Sequence, residues 1–194
     1  MFCTTDENQN QNHNQGMICL PYIEFITENR YAFVNKVTEI SGRLGINPGW
    51  LMIVFYIETA ASRYGVINHR IVNELGAVGL IQFMPATQRA LGISAVELTT
   101  MSNVRQLDYV YKYLLPYSGK MKTLADTYLA VFFPAAIGKP ANWVLKSANL
   151  SPETIACWNP LYDLDKDKRL TVGEITAKLK TFVPDYYEPY IANY

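Results

Sequence analysis

Two places in this 194-residue chain combine residue types and spacing suited to chemistry. The first is Glu58, which directly follows the uninterrupted apolar run 50–57. A helix that is apolar on every face belongs at the buried centre of an α domain. Desolvation there disfavours a charged carboxylate, and the negative end of the helix dipole disfavours it further. Both effects predict a carboxyl group that keeps its proton near neutral pH and can serve as a general acid. A lone glutamate at a helix end more often reaches out to solvent; the residues downstream weigh against that reading. The second place is the stretch 163–174, where Asp163, Asp165, Asp167 and Glu174 occupy positions 1, 3, 5 and 12 of a twelve-residue loop with apolar Leu170 at position 8. Hard oxygen donors at that spacing suit Ca²⁺.

Downstream of Glu58 lies Asn73, followed by Gly76, Ala77, Gly79, Leu80, Gln82, Met84, Pro85 and Thr87 at fixed spacing. The glycines would let backbone approach a sugar, Gln82 offers both donor and acceptor to hydroxyl and acetamido groups, and Pro85 suits a helix start. These eight positions, placed after a glutamate at a helix end, resemble the signature of the soluble lytic transglycosylase and goose-type lysozyme superfamily. The resemblance runs from about residue 40 to 138 and is similar to the phage or prophage branch. It implies a mainly α, lysozyme-like fold and peptidoglycan glycan strands as the partner. It further implies Glu58 as catalytic acid and base, Gln82 and Met84 along the glycan groove, and Asn73 in a position usually held by a serine near the reacting sugar. Tyr128 stands in for the groove tyrosine of the family. Met84 and Tyr128 equally suit plain core packing.

A two-carboxylate glycosidase needs a second acid near the first. Between Glu58 and Leu80 the only other acid is Glu74. A single-Glu mechanism is therefore expected: Glu58 protonates the glycosidic oxygen, then takes the proton of the C6 hydroxyl as a 1,6-anhydro ring closes on N-acetylmuramate. With water in place of that hydroxyl the enzyme would be a hydrolytic muramidase. From another class, a non-catalytic glycan-binding or virion structural module would have no need for an acid in an apolar pocket.

The loop 163–174 resembles an EF-hand. That resemblance implies Ca²⁺ ligands from Asp163, Asp165 and Asp167, the carbonyl of Arg169, a direct or water-mediated contact near Thr171, and bidentate Glu174. Lys168 stands at position 6, where glycine is usual, so a left-handed backbone there costs about 1 kcal/mol. A solvated charge run is the competing reading, because Lys166, Lys168 and Arg169 alternate with the acids. A single such loop suits a structural clip on the C-terminal segment better than a sensor.

Seventeen basic and 17 acidic side chains give zero net charge, with a pI near 6.7. Neither nucleic acid nor an anionic membrane is an expected partner. The longest apolar stretches, 50–57 and 128–137, fall short of the roughly 20 residues of a membrane span. The first residues lack a basic and apolar secretory leader. A monomeric chain is expected, held in the cytoplasm until lysis or carried in a virion. Cys3, Cys19 and Cys157 show no C-x-x-C spacing and read as ordinary thiols.

Several elements must position the chemistry. A polar tract at 8–15 belongs to a disordered tail, 1–16. A lysozyme-like domain is expected over 17–150, and an EF-hand-like loop and helix, packed on the body, over 151–194. Thr27 is expected to cap a helix carrying Phe33, Val37, Ile40 and Leu44. Asn47-Pro48 opens the Glu58 helix, which should run to about Ala61. Ser94-x-x-Glu97 and Thr123-x-x-Asp126 resemble capping boxes, and Ser151-Pro152 repeats the cap-then-proline pattern. Val104, Leu107, Tyr111 and Leu114 form one helical stripe, and a short hairpin is conceivable in 65–80. Tyr186, Tyr187, Tyr190 and Tyr194 are expected to pack the tail, with sugar stacking as the alternative.

Overall fold

The structure, a computed structural model, describes residues 20–60 and 65–191. The polar tract 8–15, Cys3, Cys19 and Tyr194 lie outside the described residues. The chain is mainly helical, and among the described residues extended pairing is limited to isolated antiparallel bridges. The helices are α1 (Arg30–Leu44), α2 (Pro48–Thr59), α3 (Pro85–Ala90), α4 (Ala95–Thr100), α5 (Asn103–Leu114), α6 (Leu124–Phe132), α7 (Pro152–Trp158) and α8 (Val172–Lys180). No helix among the described residues is long and apolar enough to cross a membrane.

Packing runs α5–α1–α2–α6–α8, with each neighbour in contact with the next. The order follows from the apolar content of α2. Every residue from Gly49 to Phe55 is buried, so α2 must be covered on all sides, by α1 on one flank and α6 on another. Asn47 caps it, its Oδ1 accepting from the Gly49 N–H at 2.8 Å, and Pro48 occupies the first turn. The helix ends at Thr59, two residues before the expected Ala61.

The start of α1 differs from expectation. Thr27 does not cap it; Asn29 holds the cap position at φ 50, without a side-chain cap bond. Its amide instead donates to Asn103 Oδ1 at 3.2 Å, so a tertiary contact with the first residue of α5 replaces a local cap. Ser94 and Glu97 form both halves of a capping box at α4. At α6 only half forms. Thr123 accepts from the Asp126 N–H, but the Asp126 carboxylate turns to the N–H groups of Lys122 and Gly138. On α5, Leu107 and Leu114 are buried, and the stripe is completed by Gln106 and Val110.

The C-terminal segment shares one hydrophobic cluster with the body through Ile155, Leu170, Ile175, Leu179 and Tyr187. Leu170, Ile175 and Leu179 are almost wholly enclosed, each contributing about 1.5–3 kcal/mol. Backbone bonds reinforce this: Leu145 N donates to Leu170 O, Val172 N to Trp143 O and Gly173 N to Ala141 O. The tail is anchored by Tyr187, buried, its hydroxyl donating to Asn47 Oδ1 at 2.9 Å. A Cβ on Gly49 would meet the Tyr187 hydroxyl at 2.1 Å, so glycine is required there by close approach. Tyr186 and Tyr190 remain exposed.

Candidate active site

Glu58 sits in the last turn of α2 and faces a cleft of about 520 Å³. The cleft is lined by four parts of the chain. Ile57 and Glu58 come from α2; Ile71, Asn73 and Gln82 from the loop that follows; Tyr128 from α6. The opposite wall is built by the C-terminal segment, from Leu161, Tyr162, Lys178 and Phe182. Glu58 is partly open to the cleft, yet the apolar surround pushes its pKa up to about 7, with burial as the only cause. It has neither a hydrogen bond nor an ion pair with the described residues, so no partner holds the charged form. Direction and cause agree with the sequence expectation, except that burial alone accounts for the shift.

Phenols flank the carboxyl. Tyr128 is enclosed, and its hydroxyl lies 2.5 Å from that of Tyr162. Burial first, then the Glu58 charge, raises the Tyr128 pKa well above that of an ordinary phenol. Burial pushes Tyr162 up to about 12 against the opposing Tyr128 hydrogen bond, with Glu58 adding to the rise. Tyr113 also reaches about 12, from burial, Tyr117 and Glu58 in that order. All three therefore stay protonated donors at working pH. Phe132 completes the aromatic wall, its ring stacked on Tyr128 at 5.4 Å and 5.5 Å from the Tyr162 ring.

The motif loop owes its shape to an internal polar anchor. Gln106, fully buried on α5, accepts from the Leu80 N–H at 2.7 Å and donates to the carbonyls of His69 and Leu98. Gln88 donates to Gly76 O and Phe83 O, tying the same loop to α3. The glycines were expected to admit a sugar; the loop's own packing also bears on them. A Cβ on Gly79 would fall 2.3 Å from Gln106 Oε1, and its φ is +79; a Cβ on Gly76 would touch the Pro85 ring. Both glycines hold left-handed backbone, and Gly79 in addition abuts the Gln106 amide. The expected hairpin reduces to single bridges, Val72 with Val78 and Val78 with Phe83.

Asn73 and Gln82 do reach the cleft. Asn73 Oδ1 accepts from the N–H groups of Leu75 and Ala77, which leaves its Nδ2 toward the cleft without a partner among the described residues. Gln82 adopts φ 48 and donates from Nε2 to Gly79 O, leaving its Oε1 to accept. Met84 is not among the lining residues; it precedes α3 and is 45% exposed, so core packing does not describe it either. Leu161, Tyr162, Lys178 and Phe182 were not singled out from sequence. They stand more than 100 residues beyond Glu58, and no local spacing links them to it.

The acidic loop brings together Asp163, Asp165 and Glu174, with one carboxylate oxygen from each lying within 4.8 Å of the others. Asp163 Oδ1 is a buried oxygen without a hydrogen-bond partner. Its Oδ2 accepts from the Lys168 N–H, and Asp165 Oδ1 accepts from the Asp167 N–H. Asp167 stays outside that cluster, and its Oδ1 takes the Arg169 N–H. Lys168 has φ 65, the left-handed position anticipated for residue 6, and Lys166 is left-handed as well. Glu174 Oε2 accepts from Thr171 N and Oγ1, closing a capping box on α8, so the Thr171 hydroxyl serves the helix.

Comparison of the chain with protein-family models, with curated proteins and with solved structures gives no match.

Proposed function

We propose that this chain is a peptidoglycan-cleaving enzyme acting on the β-1,4 bond between N-acetylmuramate and N-acetylglucosamine, as a single-Glu lytic transglycosylase. The observation that carries the reading is Glu58: a carboxyl with a pKa near 7 on a cleft wall, without a second carboxylate among the described lining residues. A group half-protonated at neutral pH can donate to a leaving oxygen and then accept a proton, which is what one residue in both roles requires. Asn73 Nδ2 and Gln82 Oε1 offer a donor and an acceptor to the sugar beside it. The paired phenols of Tyr128 and Tyr162 supply a further O–H near the reacting bond. With one carboxylate among the described lining residues, none of them supplies the base or nucleophile of a two-acid hydrolysis. The C6 hydroxyl of the muramyl unit fills that role internally. Mass spectrometry of digested sacculi tests this: 1,6-anhydro ends are expected, and reducing ends alone would replace the transglycosylase by a hydrolytic muramidase.

The same reading places Ca²⁺ in the acidic loop. The donor set fits: three clustered carboxylates, one of them with a buried oxygen that lacks a partner, and a loop already turned by left-handed Lys166 and Lys168. Asp163, Asp165 and Glu174 would hold the ion, which would supply positive charge to a loop that gathers three carboxylates. Its role is structural.

A further inference from the structure

Lys178 is the one cation among the described residues that line the cleft. It rises from the last turn of α8, with Nζ 5.4 Å from the centre of the Phe182 ring. Glu174 lies four residues before it, in the order that favours an ion pair along a helix. No such pair forms, because the Glu174 oxygens are engaged by Leu164 N and by Thr171. No carboxylate among the described residues pairs with Lys178. Nor does the ammonium neutralise Glu58, the other charged group of the cleft, whose pKa is set by burial alone. A cation without a carboxylate partner among the described residues therefore lines a partly apolar cavity, over the Phe182 ring. Charge in such a setting interacts more strongly than on an open surface.

We propose that Lys178 is a specificity-determining residue that receives a carboxylate carried by the glycan. The cleft would thereby prefer carboxylate-bearing peptidoglycan strands to neutral β-1,4 polymers of N-acetylglucosamine. This rests on the reading of the cleft as a glycan site. The carboxylate belongs either to a free lactyl ether of a muramyl unit or to its peptide stem. The remaining lining fits the division of labour: Leu161 and Phe182 offer apolar contact to sugar faces beside the cation, and Asn73 and Gln82 handle neutral polar groups near Glu58.

The test is titration calorimetry on the full chain carrying Glu58→Gln, so that ligand is bound but not consumed. Three tetrasaccharides are compared: alternating N-acetylglucosamine and N-acetylmuramate with free lactyl carboxylates, the same glycan with peptide stems, and neutral chitotetraose. At least one acidic glycan should bind about tenfold more tightly than chitotetraose, and the stemmed and stem-free arms show which carboxylate is used. Adding Lys178→Met should erase the preference while chitotetraose binding is unchanged; Lys178→Arg should retain it, and high salt should shrink it. A preference that survives Lys178→Met, equal binding of all three glycans, binding of none, or loss of chitotetraose binding in Lys178→Met would each overturn the proposal. Glycan binding with the expected preference but without turnover by the unsubstituted chain would remove the enzymatic reading and leave this one standing. Turnover of peptidoglycan without the preference would remove this one alone.

Discussion

The hydroxyls of Tyr128 and Tyr162 meet at 2.5 Å beside Glu58, joining α6 to the residue that precedes the acidic loop. Two phenols share one hydrogen bond, so one O–H remains to serve a third partner. The pair also ties the C-terminal segment to α6, which packs against the helix that carries the acid. Cleft geometry and docking of that segment are therefore linked through one contact.

Tyr162→Phe keeps the ring cluster with Tyr128 and Phe132 and deletes the hydroxyl. A buried Tyr128 hydroxyl that loses its partner costs about 1–3 kcal/mol. Urea unfolding should show a loss in that range, and kcat/KM on sacculi should fall about tenfold, the equivalent of about 1.4 kcal/mol. Full activity would mean that the phenol pair has no part in the cleft chemistry.

Glu58 gives pH dependence in both rate and stability. Its folded pKa is about 7 against 4.5 for an ordinary glutamate. Below pH 4.5 both states are protonated and folding carries no penalty; as pH rises through 7, the folded state must hold a charge in an apolar setting. The loss amounts to roughly 2–3 kcal/mol once its opening to the cleft is allowed for. Glu58→Gln should therefore match the unsubstituted chain in Tm at pH 4 and exceed it at pH 8.5. Equal Tm values at both pH values would contradict the buried acid. Cleavage itself should decline as pH climbs above about 7.

Gly79→Ala tests the loop anchor. The added methyl would sit 2.3 Å from Gln106 Oε1 on a backbone at φ +79. The combined strain and disturbed hydrogen bonds should cost about 2–4 kcal/mol in a denaturant titration. Gln106→Ala in the same background removes the collision but also the bonds to Leu80, His69 and Leu98, so the double variant should lose less stability than the two single losses added together.

Adding Ca²⁺ should raise Tm by a few degrees, and EDTA should reverse the gain. Asp163→Asn should abolish the response while leaving the α8 capping box intact. The gain is modest because Leu170, Ile175 and Leu179 already dock the segment by burial. A Tm indifferent to both Ca²⁺ and EDTA would end the clip reading.

Much of the helical frame was legible because its signals are local. Asn47-Pro48, Ser94 with Glu97, and the apolar run before Glu58 each fixed an element within a few residues. Asn29 was missed because its stabilising partner, Asn103, lies 74 residues away. Among the cleft residues, Glu58 could be picked out from the apolar run before it, and Asn73, Gln82 and Tyr128 from the family resemblance. Tyr162, Lys178 and Phe182 could not, since they reach the cleft only because the C-terminal segment packs on α6, by α8 and by the Tyr162–Tyr128 contact. The contact of Gly79 with Gln106 was illegible for a related reason: local sequence cannot place that side chain.

The central claim is that Glu58 performs the chemistry, and clearing of purified peptidoglycan sacculi tests it most directly. The unsubstituted chain should clear the suspension, and Glu58→Gln, folded and isosteric, should lose at least a hundredfold in rate. Equal clearing by both proteins, or clearing by neither, would contradict the account.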